Sequence, residues 1–152
     1  MSYNVRVKIT ILQVGKTKEK AYQSIENEFL KRLKPFAQVE SMVIKTSNID
    51  TENDELQKKI PKEHIVVAMD PRGNALTSEQ FAEWLEMKRD FEGGKVAFMI
   101  GGPQGFTSET LAKANVVLSL SNMTFTHQMV RLFLLEQIYR AFTIITGRTY
   151  HY

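Results

Sequence analysis

The sequence predicts an α/β fold, a mostly parallel sheet covered by helices, and three observations carry that prediction. Short apolar runs alternate along the chain with stretches of helical periodicity, the order that builds parallel strands joined by crossover helices. Two consecutive apolar runs in the C-terminal third each leave through a loop of small residues, one holding Gly101, Gly102, Pro103 and Gly105, the other Ser119, Ser121 and Asn122. Loops at the carboxyl ends of neighbouring strands meet at one crevice, and glycine lets a ligand approach the backbone there. Finally, 152 residues of which 43% are hydrophobic bury one core, so a single domain over residues 1–152 is expected.

Val5, Val7, Ile9 and Ile11 alternate with Arg6, Lys8 and Thr10, the period of a strand with one face less buried, and Gly15 ends it. From about 18 to 33 the set Ala21, Tyr22, Ile25, Phe29 and Leu33 recurs at helical spacing until Pro35 stops the pattern. Residues 39–45 read as a second strand. Residues 50–59 are polar apart from Leu56, which favours a short exposed helix or a loose loop over a core element. A buried strand follows at 65–69, and the proline and glycine within 70–74 mark a loop. Thr77 and Gln80 match a capping box, and Phe81, Trp84, Leu85 and Phe91 give the next helix one apolar stripe before Gly93 and Gly94 end it. Residues 96–100 form another buried strand, Thr107 or Ser108 caps a short helix reaching 114, and 116–120 is a fifth strand.

The last helix, roughly 126–146, is apolar around nearly its whole circumference. Its polar line is thin and runs through Gln128, Arg131, Glu136, Gln137, Arg140 and Thr143. A helix apolar all round must be buried all round, yet a sheet covers one side only. A two-fold homodimer supplies the other cover most simply, with a central core helix in a monomer as the alternative.

Composition excludes several classes of chemistry. The absence of cysteine removes disulfides, thiolate metal sites and cysteine nucleophiles, and His64, His127 and His151 are too scattered to suggest a zinc cluster, so no metal is expected. No apolar run is long enough to span a bilayer and no signal peptide is recognisable, which points to a soluble, cytoplasmic protein. A net charge of +3 permits RNA without demanding it. Lysines gather at Lys16, Lys18 and Lys20 and again at Lys31, Arg32 and Lys34, either as a phosphate-tracking surface or as an ordinary solvated helix face.

The Ile-Gly-Gly-Pro-x-Gly run at 100–105, the segment at 118–128 that ends in His127 and Gln128, the helix motif Glu136-Gln137-x-Tyr139-Arg140-Ala141 and the terminal Tyr150-His151 together resemble the SPOUT methyltransferases. At closer range they resemble the ribosomal RNA large-subunit methyltransferase H family, along the whole chain. The resemblance implies a C-terminal trefoil knot, S-adenosylmethionine as cofactor and a homodimer. It also implies methylation of N3 of a pseudouridine in a 23S rRNA stem-loop on the assembled ribosome. Carried over by position, it assigns the cofactor site to Met69, Gly101, Gly102, Leu120, Ser121, Asn122, Met123, Thr124 and Phe125, and brings Tyr150 and His151 to the active site beside the cofactor. Arg131 and Arg140 are candidates for phosphate or inter-subunit contact.

Each of these residues also has a plainer reading. Gly-Gly-Pro-x-Gly has neither dinucleotide-fingerprint nor Walker spacing and by itself describes a turn. Met123 and Phe125 can be packing residues, and Arg140 stands at i, i+4 from Glu136, the spacing of a helix ion pair. Thr126, Thr149 and Tyr152 depart from the family pattern of two prolines and a basic residue. Thr126 suits a helix cap, whereas the other two loosen the tail. Two rival functions remain, a SPOUT enzyme acting on transfer RNA and a non-catalytic ribosome-binding protein.

Overall fold

Residues 6–150 are described in a computed structural model, and they follow the alternation expected from the sequence. In chain order the elements are β1 (Val7–Val14), α1 (Lys20–Leu33), β2 (Ala37–Ile44), α2 (Ile49–Lys59), β3 (Ile65–Ala75), α3 (Ser78–Phe91), β4 (Lys95–Ile100), α4 (Ser108–Ala112), β5 (Val116–Ser119) and α5 (His127–Thr146). The strands form one sheet in the order β2-β1-β4-β3-β5, and every pairing is parallel. A central parallel strand is covered on both faces, which is why β4 reads as an unbroken apolar run. Leu33 of α1, Phe81 and Leu85 of α3, and Leu134, Leu135, Ile138 and Phe142 of α5 pack on one face against Ile9, Val67 and Phe98. Leu56 of α2, with Phe106 and Leu111, packs on the other against Leu12, Ala68 and Met99.

That second layer revises two expectations. The alternation in β1 does not mark a solvent-facing side, because Thr10, Leu12 and Val14 are buried and only Lys8 is partly open. Residues 49–59 are neither loose nor merely exposed. Asn48 caps α2 by accepting from the Thr51 N–H at 2.8 Å, and Glu52, Asn53 and Leu56 are buried along one face.

Local signals held where the chain itself supplies the partner. The Thr77–Gln80 capping box forms in both directions, and Thr126 caps α5 by accepting from the Met129 N–H. Two apolar assignments and one strand boundary shift on packing. Ile25 of α1 is exposed while its neighbour Glu26 is buried, Phe91 is 78% exposed, and β3 runs past residue 69 through the expected loop at 70–74. After an irregularity between Met69 and Asn74, β3 resumes pairing with β5 through Asn74 and Ala75. Gly73 sits where β3 and β5 approach closely. A Cβ there would stand 2.5 Å from the Val117 carbonyl, so no side chain fits.

Candidate active site

β3, β4 and β5 are contiguous at one side of the sheet, and a crevice of about 500 Å³ opens at their carboxyl ends. Its size lies within the range of small-molecule sites. Met69, Ile100, Leu118, Leu120 and Val130 give it apolar walls, while the loops after β4 and β5 line it with backbone. The loop after β4 is a tight turn: the Gly105 N–H donates to the Gly102 carbonyl at 2.9 Å, and Gly105 takes φ of 75°, which favours glycine. Gly102 is glycine for a different reason, since a Cβ would lie 2.8 Å from Glu52 Oε1 and 3.0 Å from Val14 Cγ1.

Glu52 and Asn53 are supports that the sequence reading overlooked. The Asn53 amide donates to the Gly105 carbonyl at 3.2 Å and accepts from the Thr107 N–H at 3.0 Å, so α2 holds both ends of the short segment leading into α4. A signal was available. Residues 52, 53 and 56 share one helical face, and a polar pair beside the helix's principal apolar residue is a candidate for buried hydrogen bonding.

The loop after β5 is braced by its own serines. Ser119 Oγ donates to the Ser121 carbonyl at 2.8 Å, and Ser121 Oγ accepts from the Met123 N–H at 3.1 Å. Of the nine residues assigned to the cofactor, eight line the crevice, namely Met69, Gly101, Gly102, Leu120, Ser121, Met123, Thr124 and Phe125. Asn122 shares the loop but is not among the lining residues. Phe125 also packs edge-on against Phe133 at 5.2 Å, and Met123 stands at the rim, 73% exposed. Asp70, His127 and Gln128 also line it. Hydrogen bonds from the Arg72 guanidinium hold the Asp70 carboxyl below its usual range, so it is ionised at neutral pH with its charge paired to that guanidinium.

Comparison with known proteins then decides the family. The family model described as "Predicted SPOUT methyltransferase" matches residues 7–151. The chain belongs to that family. A Ribosomal RNA large subunit methyltransferase H from Halothermothrix orenii is 39% identical, with 95% of this chain and 99% of the relative covered. One of the same name from Geobacter sp. strain M21 is 40% identical over 96% of this chain and 99% of its own. A solved structure, described as a probable methylase family protein from Haemophilus influenzae Rd KW20, has a TM-score of 0.58 at 14% identity, covering 95% of this chain and 70% of that one. The last is a likeness of fold alone.

In this SPOUT methyltransferase Tyr150 and the two arginines lie apart from the crevice. Tyr150 packs against Tyr139 at 5.4 Å, lies under the Arg140 guanidinium at 4.4 Å and donates to Glu136 Oε2 at 3.3 Å. Burial, and then the Glu136 carboxylate, hold the phenol above its ordinary range, so at neutral pH Tyr150 is a donor and not a base. His151 lies outside the described residues. Arg140 pairs with Glu136 at 2.9 Å, the helix ion pair allowed for by its spacing. Arg131 is not available to RNA. It is buried, paired with Glu26 and donating to Gln13 Oε1 at 3.0 Å, because a guanidinium enclosed between α1, α5 and the sheet must find its acceptors inside the protomer. Among the described residues no group of three or more acidic, histidine or cysteine side chains could hold a metal, and no helix is long and apolar enough to cross a membrane.

Proposed function

We propose that this chain is a cytoplasmic enzyme that methylates N3 of a pseudouridine in a 23S rRNA stem-loop on the assembled ribosome, using S-adenosylmethionine. One observation carries the reading: a crevice with apolar walls and a glycine-lined floor, in a SPOUT chain alike from end to end to relatives named for large-subunit rRNA. The cofactor fits the donor set. Gly101 and Gly102 present backbone without side chains, the loop at 120–125 adds carbonyls and amides for an adenine edge, and Met69 and Leu120 supply apolar contact for the ring.

Bound there, S-adenosylmethionine supplies the methyl group on its sulfonium. The chain's task is to exclude water, align the nucleophilic nitrogen and let the imino proton leave, which requires no metal and no covalent intermediate. His151 is the candidate acceptor for that proton, with the protonated Tyr150 beside it as a stacking and donor group. Threading of the C-terminal segment into a trefoil knot belongs to the same reading. The close approach of β5 to Gly73 and the resumed pairing at Asn74 are compatible with it.

The enzyme works as a homodimer across α5. Phe133 and Ile144 of that helix are 40% and 42% exposed, and Phe125 extends the apolar surface to the crevice rim. Tyr150 stands roughly 15 Å along α5 from the crevice end of the same helix. A two-fold pairing across α5 that brought Tyr150 of one protomer toward the other's crevice would reconcile its position with a role at the base. Phe133→Asp is expected to yield monomers or aggregates by light scattering, whereas Leu134 is buried in the protomer core and is the wrong probe. A wild-type monomer at micromolar concentration would end the dimer reading.

The function itself is tested with labelled methyl transfer to ribosomes from a strain lacking the protein, followed by mapping of the modified nucleotide. Label at a pseudouridine of 23S rRNA is the expected result. Label on transfer RNA, or on neither RNA, would overturn it.

A further inference from the structure

The segment between β1 and α1 is held by side chains from elsewhere in the fold. Gln128 Oε1 accepts from the Lys18 N–H at 2.9 Å and from the Glu19 N–H at 3.0 Å. His127 Nε2 lies 3.4 Å from the Lys16 carbonyl, and Thr17 is tied through its hydroxyl to Glu26 and through its carbonyl to Gln23. The Gly15 N–H donates to the Ile44 carbonyl at 2.8 Å, which joins the end of β1 to the end of β2. His127 and Gln128 also line the crevice, so the clamped loop begins at the crevice rim.

Four cations project from this frame. Lys16, Lys18, Lys20 and Lys45 are all exposed, and none of them takes part in an ion pair found among the described residues. Lys31 and Lys34 at the far end of α1 are likewise exposed and outside those ion pairs, and Glu19 sets one exposed carboxylate among the four, so what distinguishes them is the braced backbone and the neighbouring crevice. A surface chosen only for solubility has no need of a backbone fixed this firmly. Exposed cations on a braced loop beside a reaction crevice suit an anionic polymer whose charges must be seated in register.

We propose that Lys16, Lys18, Lys20 and Lys45 form a ridge that binds RNA backbone phosphates and seats the substrate beside the crevice, with Gln128 and His127 setting the ridge's position. This rests on the RNA-methyltransferase reading above. The ridge adds what the modest net charge does not, a local concentration of positive charge at the one place where the strand must be held.

The test compares two pairs of neutral substitutions that change net charge equally. Lys16→Gln with Lys18→Gln removes half the ridge. Lys31→Gln with Lys34→Gln removes two exposed cations at the far end of α1, about 20 Å away. Both proteins are titrated with unmethylated ribosomes over a range of salt, and cofactor affinity is measured by calorimetry. The ridge pair is expected to raise the ribosome concentration for half-maximal methylation roughly tenfold and to flatten the salt dependence by about two contacts, with cofactor affinity unchanged. The distal pair should stay within twofold of wild type. Equal losses in the two pairs, or no loss in either, would overturn the ridge. Were transfer RNA the wild-type substrate, the rRNA reading would fall, and the same two pairs titrated against transfer RNA would decide the ridge separately.

Discussion

Gly101→Val is expected to abolish measurable binding of S-adenosylmethionine while leaving the fold largely intact. Two effects converge at this position. A Cβ on residue 101 would stand 3.3 Å from the Cα and carbonyl carbon of Gly105 and 3.4 Å from its oxygen, tighter than ordinary contact. Valine adds two methyl groups beyond that Cβ, so either the turn at 102–105 is pushed outward or the methyls enter the crevice that Gly101 lines. The turn cannot yield freely, because Asn53 holds it at Gly105 and at Thr107. The methyls are therefore directed into the crevice, where they occupy space that a bound cofactor needs. β4 ends at Ile100, before the substitution, and its core contacts survive. Circular dichroism should therefore be close to wild type, and an unchanged calorimetric affinity would remove Gly101 from the cofactor site.

Deleting residues 150–152 is expected to leave cofactor affinity within a few fold and to cut methylation of ribosomes by about two orders of magnitude, the scale of losing a positioned acid–base group. The separation of the two readouts follows from geometry. Tyr150 touches Glu136, Tyr139 and Arg140 and lines no part of the crevice of its own protomer, so its removal spares the cofactor walls. What is lost is the aromatic and histidine pair that we propose meets the base. Tyr150→Phe offers a finer test, since it keeps the ring under Arg140 and removes only the hydroxyl donated to Glu136. A truncated enzyme that methylates ribosomes at the full rate would show that the tail is a passive cover for α5.

Much of the site was legible because its chemistry is local. Gly101, Gly102 and Gly105 announce a loop that side chains must leave clear, and the structure supplies a separate reason for the second and third of them. The loop at 120–125 follows an apolar strand and precedes a threonine-capped helix, so its place at a strand's carboxyl end could be read from order alone. Arg131 was misread for the opposite reason. Its partners Gln13 and Glu26 are more than a hundred residues away, and nothing in the polar line of α5 distinguishes an arginine facing solvent from one turned inward. Ile25 and Glu26 exchanged roles on the same account. A hydrophobicity pattern ranks residues by their own transfer energy, and a buried ion pair inverts that ranking only once both partners are present.

By itself the sequence determined the alternating elements, the threonine caps, the glycine loop and the family. Each depends on residues close together in the chain or on a motif as a whole. Only the tertiary structure decided the strand order that makes β3, β4 and β5 neighbours, the inward burial of α2 with Glu52 and Asn53, and the resumption of β3 past Gly73. It alone also decided the clamping of the lysine loop by Gln128. The reason is physical: periodicity reports which face of an element is apolar, but which element meets that face depends on chain crossings and long-range hydrogen bonds.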